Sequence, residues 1–195
     1  MTASLEFFYD YVSSYSYMAN EAVKSLEGVE VRYRPMFLGG VMKATGNSPP
    51  GTVPAKGRYL ARDLRRWSAR YDVPFRFNSV FPQNTLSALR LALVAQHRGS
   101  FDAIHQPLFD GMYVNDRDLS NPDVLAEIVS GAGLDAEDYL AAIGDQAIKD
   151  ELKANTEEAV SRGAFGAPTF FVADEMFFGN DRFDFIKAAL AEAGS

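Results

Sequence analysis

Apolar and polar residues alternate at the start of the chain. Leu5, Phe7 and Tyr9 take one parity and Glu6, Phe8 and Asp10 the other, which predicts a short strand. Ala19, Ala22, Val23 and Leu26 then recur at helical spacing, and Val29, Val31 and Tyr33 alternate with Glu30, Arg32 and Arg34. The order is strand, helix, strand, and a helical crossover makes the two strands parallel. Beyond this point the pattern turns helical. Thr85 to His97 is rich in Leu and Ala, Asn121-Pro122 sets a cap before a proline at a first helical position, and Asp135 is placed to cap another short helix. Gly131, Gly144 and Gly163 are expected helix stops.

The strand pattern returns near the C-terminus. Thr169-Phe170-Phe171-Val172 reads as a buried strand, Met176-Phe177-Phe178 as its neighbour, and Phe183, Ile186 and Leu190 mark a closing helix. Beta-alpha-beta at one end and beta-beta-alpha at the other are the two halves of a thioredoxin-like sheet. The expected class is therefore α/β, a thioredoxin-like sheet with an inserted all-helical domain. The expected division is 1–58 and 164–195 for the split sheet domain and 59–163 for the insert.

Composition narrows the function. With 195 residues, 47% of them hydrophobic, the chain can bury one sizeable core or two small ones sharing an interface. The N-terminal stretch has early acids and no basic residue, unlike a secretory leader, and no apolar run is long enough to cross a bilayer, so the expected location is the cytoplasm. A net charge of −7 argues against general nucleic-acid binding, whose affinity comes largely from neutralising phosphates. Lys56, Arg58, Arg62, Arg65, Arg66 and Arg70 form a local basic run. Leu60, Leu64, Trp67 and Tyr71 interleave with it at helical spacing, which predicts an amphipathic helix with a solvated basic face.

Several chemistries can be set aside. The absence of cysteine excludes disulfides, thiolate metal sites and redox chemistry on the protein's own sulfur. His97 and His105 are the only histidines and have no HExxH or thiolate context, so no metal site is expected. Ser13 lacks a GxSxG elbow, and Gly39-Gly40 and Gly46 fit neither a Walker loop nor a dinucleotide fingerprint. What remains is Ser13-Ser14-Tyr15-Ser16, set between the first strand and the first helix, where a thioredoxin-type protein carries its two reactive thiols. Sulfur chemistry at that place has to be borrowed from a ligand.

Three motifs in order carry a resemblance. They are Phe8-Tyr9-Asp10-Tyr11-Val12-Ser13-Ser14-Tyr15-Ser16-Tyr17, then Thr45-Gly46-Asn47-Ser48-Pro49-Pro50 with Val53-Pro54-Ala55-Lys56-Gly57, and last Gly163-Ala164-Phe165-Gly166-Ala167-Pro168-Thr169-Phe170 through Gly179-Asn180-Asp181-Arg182. Over nearly its whole length the chain resembles the 2-hydroxychromene-2-carboxylate isomerases. These are relatives of the kappa-class glutathione transferases and, more distantly, of DsbA.

The resemblance implies a site. Glutathione would lie with its sulfur near Ser13 at a helix N-terminus, where the helix dipole and a hydroxyl donor favour thiolate over thiol. From the local sequence alone Ser13 is equally an N-cap. Ala167-Pro168 matches the family's cis-proline loop, which would pair with the cysteinyl part of glutathione as an added strand does; otherwise it is a strand-entry proline. Asn180 and Asp181 match the pair that receives the γ-glutamyl end, or else cap the C-terminal helix. Asn47 and Lys56 match positions that contact the tripeptide, Lys56 answering a carboxylate; its other reading is a surface charge on the loop leading into a helix. Ser14 stands where relatives commonly have proline, which would fix the backbone of the first helical turn.

The implied activity is a glutathione-dependent isomerisation of a small aromatic carboxylate. It interconverts 2-hydroxychromene-2-carboxylate and trans-o-hydroxybenzylidenepyruvate-type compounds by conjugate addition of a thiolate, rotation about the bond made single, and elimination. Phe37, Trp67 and Phe81 are candidates for an aromatic wall or for the core. The alternatives are a kappa-like glutathione transferase and a non-catalytic thioredoxin-like binding module. Relatives imply a homodimer.

Overall fold

A computed structural model describes residues 3–194. Strand β1 (Ser4–Tyr9) leads through helix α1 (Ser14–Lys24) to strand β2 (Glu30–Pro35), which pairs with β1 in parallel. After a long helical segment, strands β3 (Thr169–Val172) and β4 (Glu175–Phe178) form a hairpin, and helix α9 (Phe183–Ala193) follows them. The sheet order is β2-β1-β3-β4, with β3 antiparallel to β1 and β4 antiparallel to β3. The expected β-α-β and β-β-α halves thus meet along β1 and β3.

Strand directions place the ends that matter. Parallel β1 and β2 both finish at one edge of the sheet, antiparallel β3 starts there, and β4 runs back to finish there. Four loops from distant parts of the chain are therefore neighbours. They are the β1–α1 turn, the entry to α2 (Leu38–Thr45), the loop before β3 and the loop after β4.

Both faces of the sheet are covered, which explains why β1 is buried on both parities at its end. On one face Leu5, Phe7, Tyr9 and Phe170 join α1 and the helical segment, Phe7 stacking on Phe170 at 4.9 Å. On the other, Phe8 and Phe171 pack with Met36, Val41, Ala159 and Ala164 beneath α2 and α8 (Gln146–Ser161). Arg34 and Arg162 lie over the Phe8 and Phe171 rings and bond Glu6 and Glu158, closing that layer with paired charges.

Helix signals translate locally. Asn121 caps α6 (Pro122–Gly131) by accepting from Asp123 N, and Asp135 caps α7 (Ala136–Ala142) by accepting from Asp138 N. Gly131 ends α6, but the left-handed residue beyond it is Gly133. Helix α3 (Pro54–Tyr71) has the expected apolar stripe and exposed arginines, and it runs unbroken across position 58. Lys56 accordingly sits in its first turn rather than on a loop. Helices α4 (Leu86–His97) and α5 (Phe101–Tyr113) complete the interior of the helical segment.

Candidate active site

Ser13 ends the β1–α1 turn. Its Oγ accepts from Ser16 N at 3.1 Å, which is an N-cap, and its hydroxyl donates to the Ala167 carbonyl at 3.0 Å. The cap reading of this serine is thus observed, in a side chain that is only 8% exposed. No acidic residue occupies the first turn of α1, so the positive end of its dipole is not cancelled from within the helix. Ser14 is the buried first residue of α1; the turn closes without the ring constraint of a proline.

The Ala167–Pro168 bond is cis and stands against Ser13, as the resemblance implies; Phe81–Pro82 is cis as well, without a sequence expectation. Asn47 Nδ2 donates to the Phe165 carbonyl at 2.8 Å, tying the end of α2 to the same loop. At Gly166 a Cβ would lie 2.8 Å from the outer end of the exposed Phe178 ring, so a larger residue there requires that ring to move.

Gly179, with φ +102°, donates its N–H to the Pro168 carbonyl at 3.0 Å and turns the chain toward Asn180 and Asp181. Asn180 is buried. Its carbonyl accepts from Tyr71 Oη at 3.1 Å, and its Nδ2 has no partner among the described residues. An amide donor buried unpaired costs free energy that a ligand acceptor would return. Asp181 is about half exposed and pairs with Arg182 at 2.8 Å. Neither Asn180 nor Asp181 caps α9, whose N-cap is Arg182 with no side-chain cap.

Lys56 lines a groove of about 400 Å³ with Tyr15, Pro50, Ala55, Tyr59 and Leu60. Ser13 is not among its lining residues, and the α1 residue that reaches it is Tyr15. Its hydroxyl donates to Asp63 Oδ2 at 2.7 Å; burial, and then this bond, push the phenol upward and keep it protonated.

Sequence reasoning passed over Asp10. This carboxylate is fully buried behind the Ser13 turn and accepts from Val12 N at 3.1 Å, Leu38 N at 2.8 Å and Thr85 Oγ1 at 2.6 Å. Burial holds it above the usual carboxylate range, while these three donors work the other way. Its signal was an acid within a run of aromatic residues; its partners lie too far along the chain to be read. The aromatic candidates do not form one wall, since no ring contact joins Phe37, Trp67 and Phe81. Trp67 stacks on Tyr71, Phe37 faces α8, and Phe81 is half exposed. His97 pairs with Glu151, His105 is buried in α5, and no cluster fit to hold a metal ion occurs among the described residues. No helix among them is long and apolar enough to cross a membrane.

A serine-capped helix against a cis-proline loop, on a β-α-β plus β-β-α sheet, defines a thioredoxin-like protein with hydroxyls in the thiol positions. The chain belongs to the DSBA-like thioredoxin domain family, whose sequence profile matches residues 4–191. It is 31% identical to human glutathione S-transferase kappa 1, covering 97% of this chain and 91% of that protein. It is 30% identical to 2-hydroxychromene-2-carboxylate isomerase of Sphingobium xenophagum, covering 98% and 100%. Among solved structures, a 2-hydroxychromene-2-carboxylate isomerase superposes with a TM-score of 0.88 at 25% identity, over 97% of this chain and 95% of that one.

Proposed function

We propose that the protein is a glutathione-dependent isomerase acting on 2-hydroxychromene-2-carboxylate and trans-o-hydroxybenzylidenepyruvate-type compounds. The observation that carries the reading is the contact between Ser13, at the N-terminus of α1, and the carbonyl of the cis-proline loop, in a chain without cysteine. The residues present fit glutathione. The unpaired Asn180 amide and the Asp181 carboxylate suit a γ-glutamyl end, Ala167 and Pro168 a cysteinyl backbone, and Asn47 and Lys56 contacts to the tripeptide, Lys56 answering a carboxylate. When bound, glutathione supplies a sulfur nucleophile that adds to a conjugated double bond and leaves again, so that the bond can rotate.

The chain's own part is to hold and polarise. Turning the Ser13 hydroxyl from Ala167 toward a sulfur would donate a hydrogen bond to the thiolate, while the α1 amides lower its pKa. Asp10 fixes the turn from behind, and Tyr15, kept protonated by burial and by its hydrogen bond to Asp63, lends its ring to the groove wall. The reading carries with it a homodimer, a cytoplasmic location and a division into a split sheet domain and a helical insert.

The likeness to human glutathione S-transferase kappa 1 favours a second reading, in which sulfur adds to an electrophile and stays attached. One assay separates the two. The absorbance of hydroxychromene carboxylate is followed with and without glutathione, and free glutathione is counted afterwards. Turnover that needs glutathione and returns all of it supports the isomerase. Consumption of glutathione supports the transferase, and ligand binding without turnover leaves a binding module.

A further inference from the structure

Between α2, α4 and α8 lies a cavity of about 480 Å³ that shares no lining residue with the Lys56 groove and includes neither Ser13, Pro168 nor Asp181. Its walls are apolar: Phe37, Leu86, Leu152 and Val160 contribute ring, isobutyl and isopropyl surface. Three cations also line it, and they differ in what they already hold. Lys149 donates to the Gly144 carbonyl, and Lys153 stands 3.7 Å from Glu157 at the exposed rim. Arg90 holds nothing. Its Nε is buried without a hydrogen-bond partner, and its guanidinium has no ion pair among the described residues.

We infer that this cavity is a second ligand site, for an aromatic monocarboxylate of one or two fused rings, with Arg90 as the residue that receives the carboxylate. A buried guanidinium donor without an acceptor is an unfavourable arrangement that a carboxylate reverses, and the planar fork of arginine suits two carboxylate oxygens. Arg90, which has neither an ion pair nor a hydrogen-bond acceptor among the described residues, stands beside apolar walls and matches a single charge on a flat apolar body. The Glu157 carboxylate lines the same cavity beside Lys153 and disfavours a second negative charge, as on a phosphorylated or dicarboxylic ligand. The volume is in the range of small-molecule sites. The inference is independent of the glutathione reading, because its residues are different.

The probe is 2-naphthoate, titrated by calorimetry beside its neutral amide, 2-naphthamide. The wild-type chain is expected to prefer the carboxylate by roughly tenfold. Arg90→Met should abolish that preference while changing the amide's affinity less than about twofold, and saturating glutathione should leave naphthoate binding unchanged. Amide resonances of the wild-type protein give a readout that needs no variant. Shifts at Phe37, Leu86, Arg90 and Leu152 are expected. Any of four results would overturn the proposal: no binding at millimolar probe, equal carboxylate affinity in Arg90→Met, displacement by glutathione, or shifts centred on Ser13 and Gly179.

Discussion

Ser13 and Ala167 stand 154 positions apart in the chain and are joined by a 3.0 Å hydrogen bond in which the serine hydroxyl donates to the carbonyl. The same Oγ accepts from Ser16 N, so one side chain starts a helix and pins the loop that enters β3. A hydroxyl used in this way is held at the N-terminus of α1.

Ser13→Ala should lower stability by about 1 kcal/mol, the usual worth of a serine N-cap. Turnover should fall further than glutathione affinity, because the lost contact favours the reactive thiolate rather than anchoring the tripeptide. The pKa of the bound thiol should rise and carry the pH-rate profile upward with it. Wild-type turnover with an unchanged profile would reduce Ser13 to its cap.

Asp181→Ala should weaken glutathione by ~1.5–3 kcal/mol and leave a ligand without the γ-glutamyl ammonium almost unaffected, measured by calorimetry. Gly179→Ala tests the same side chain indirectly. Its φ of +102° disfavours any Cβ, and that atom would meet Asp181 Oδ1 at 2.7 Å. Part of the Asp181 effect should therefore appear in Gly179→Ala; equal glutathione affinity in both variants and the wild type would make the pair a surface feature.

Asp10→Asn should destabilise the fold by roughly 1–3 kcal/mol, since an amide nitrogen must face a donor where the carboxylate faced Leu38 N, Val12 N or Thr85 Oγ1. Thr85→Val removes one donor, and the two substitutions together should cost less than their sum, because they share a bond. Denaturant melts of the two singles and the double decide this; strict additivity would show that the contact contributes nothing.

His105 is neutral in the fold. Its Nε2–H donates to Asn20 Oδ1, its Nδ1 accepts from Tyr11 Oη, and burial pushes the imidazole down to about 3, with a smaller contribution from Lys24. The unfolded chain takes up a proton near pH 6.5 and the folded chain does not. His105 therefore makes stability fall as pH drops from about 6.5 toward 3, by about 1.4 kcal/mol per pH unit, and has no such effect above that window. Between pH 7.5 and pH 5 the stability gap between wild type and His105→Gln should shrink by about 2 kcal/mol in urea melts. A constant gap would mean that His105 titrates alike in the folded and the unfolded chain.

Much of the architecture was legible because it is local. Alternation at Leu5, Phe7 and Tyr9 reports the pleat of a strand, and Asn121 and Asp135 cap helices through bonds that span two or three residues. Other features escaped a linear reading. Lys56 belongs to α3 and Gly133 takes the left-handed turn, each within a few residues of where the pattern put it, since helix ends depend on which backbone groups find partners. Of the three candidates for an aromatic wall or the core, Phe37 and Trp67 pack against the core and Phe81 is half exposed, because apolar character marks burial without naming the neighbour.

By itself, then, the sequence determined the order of strands and helices, the absence of a protein thiol and the motifs that carry Ser13, Pro168 and Asp181. All of these depend on residue identity or on contacts within a turn. Tertiary structure alone decided that Asp10 would hold Leu38 and Thr85, that Asn180 would present a buried unpaired amide, and that Arg90 would be left without an anion. Those meetings depend on sheet order and strand direction, which bring four distant loops to one edge, and on how α2, α4 and α8 close against one another. Neither quantity is written in the spacing of residues along the chain.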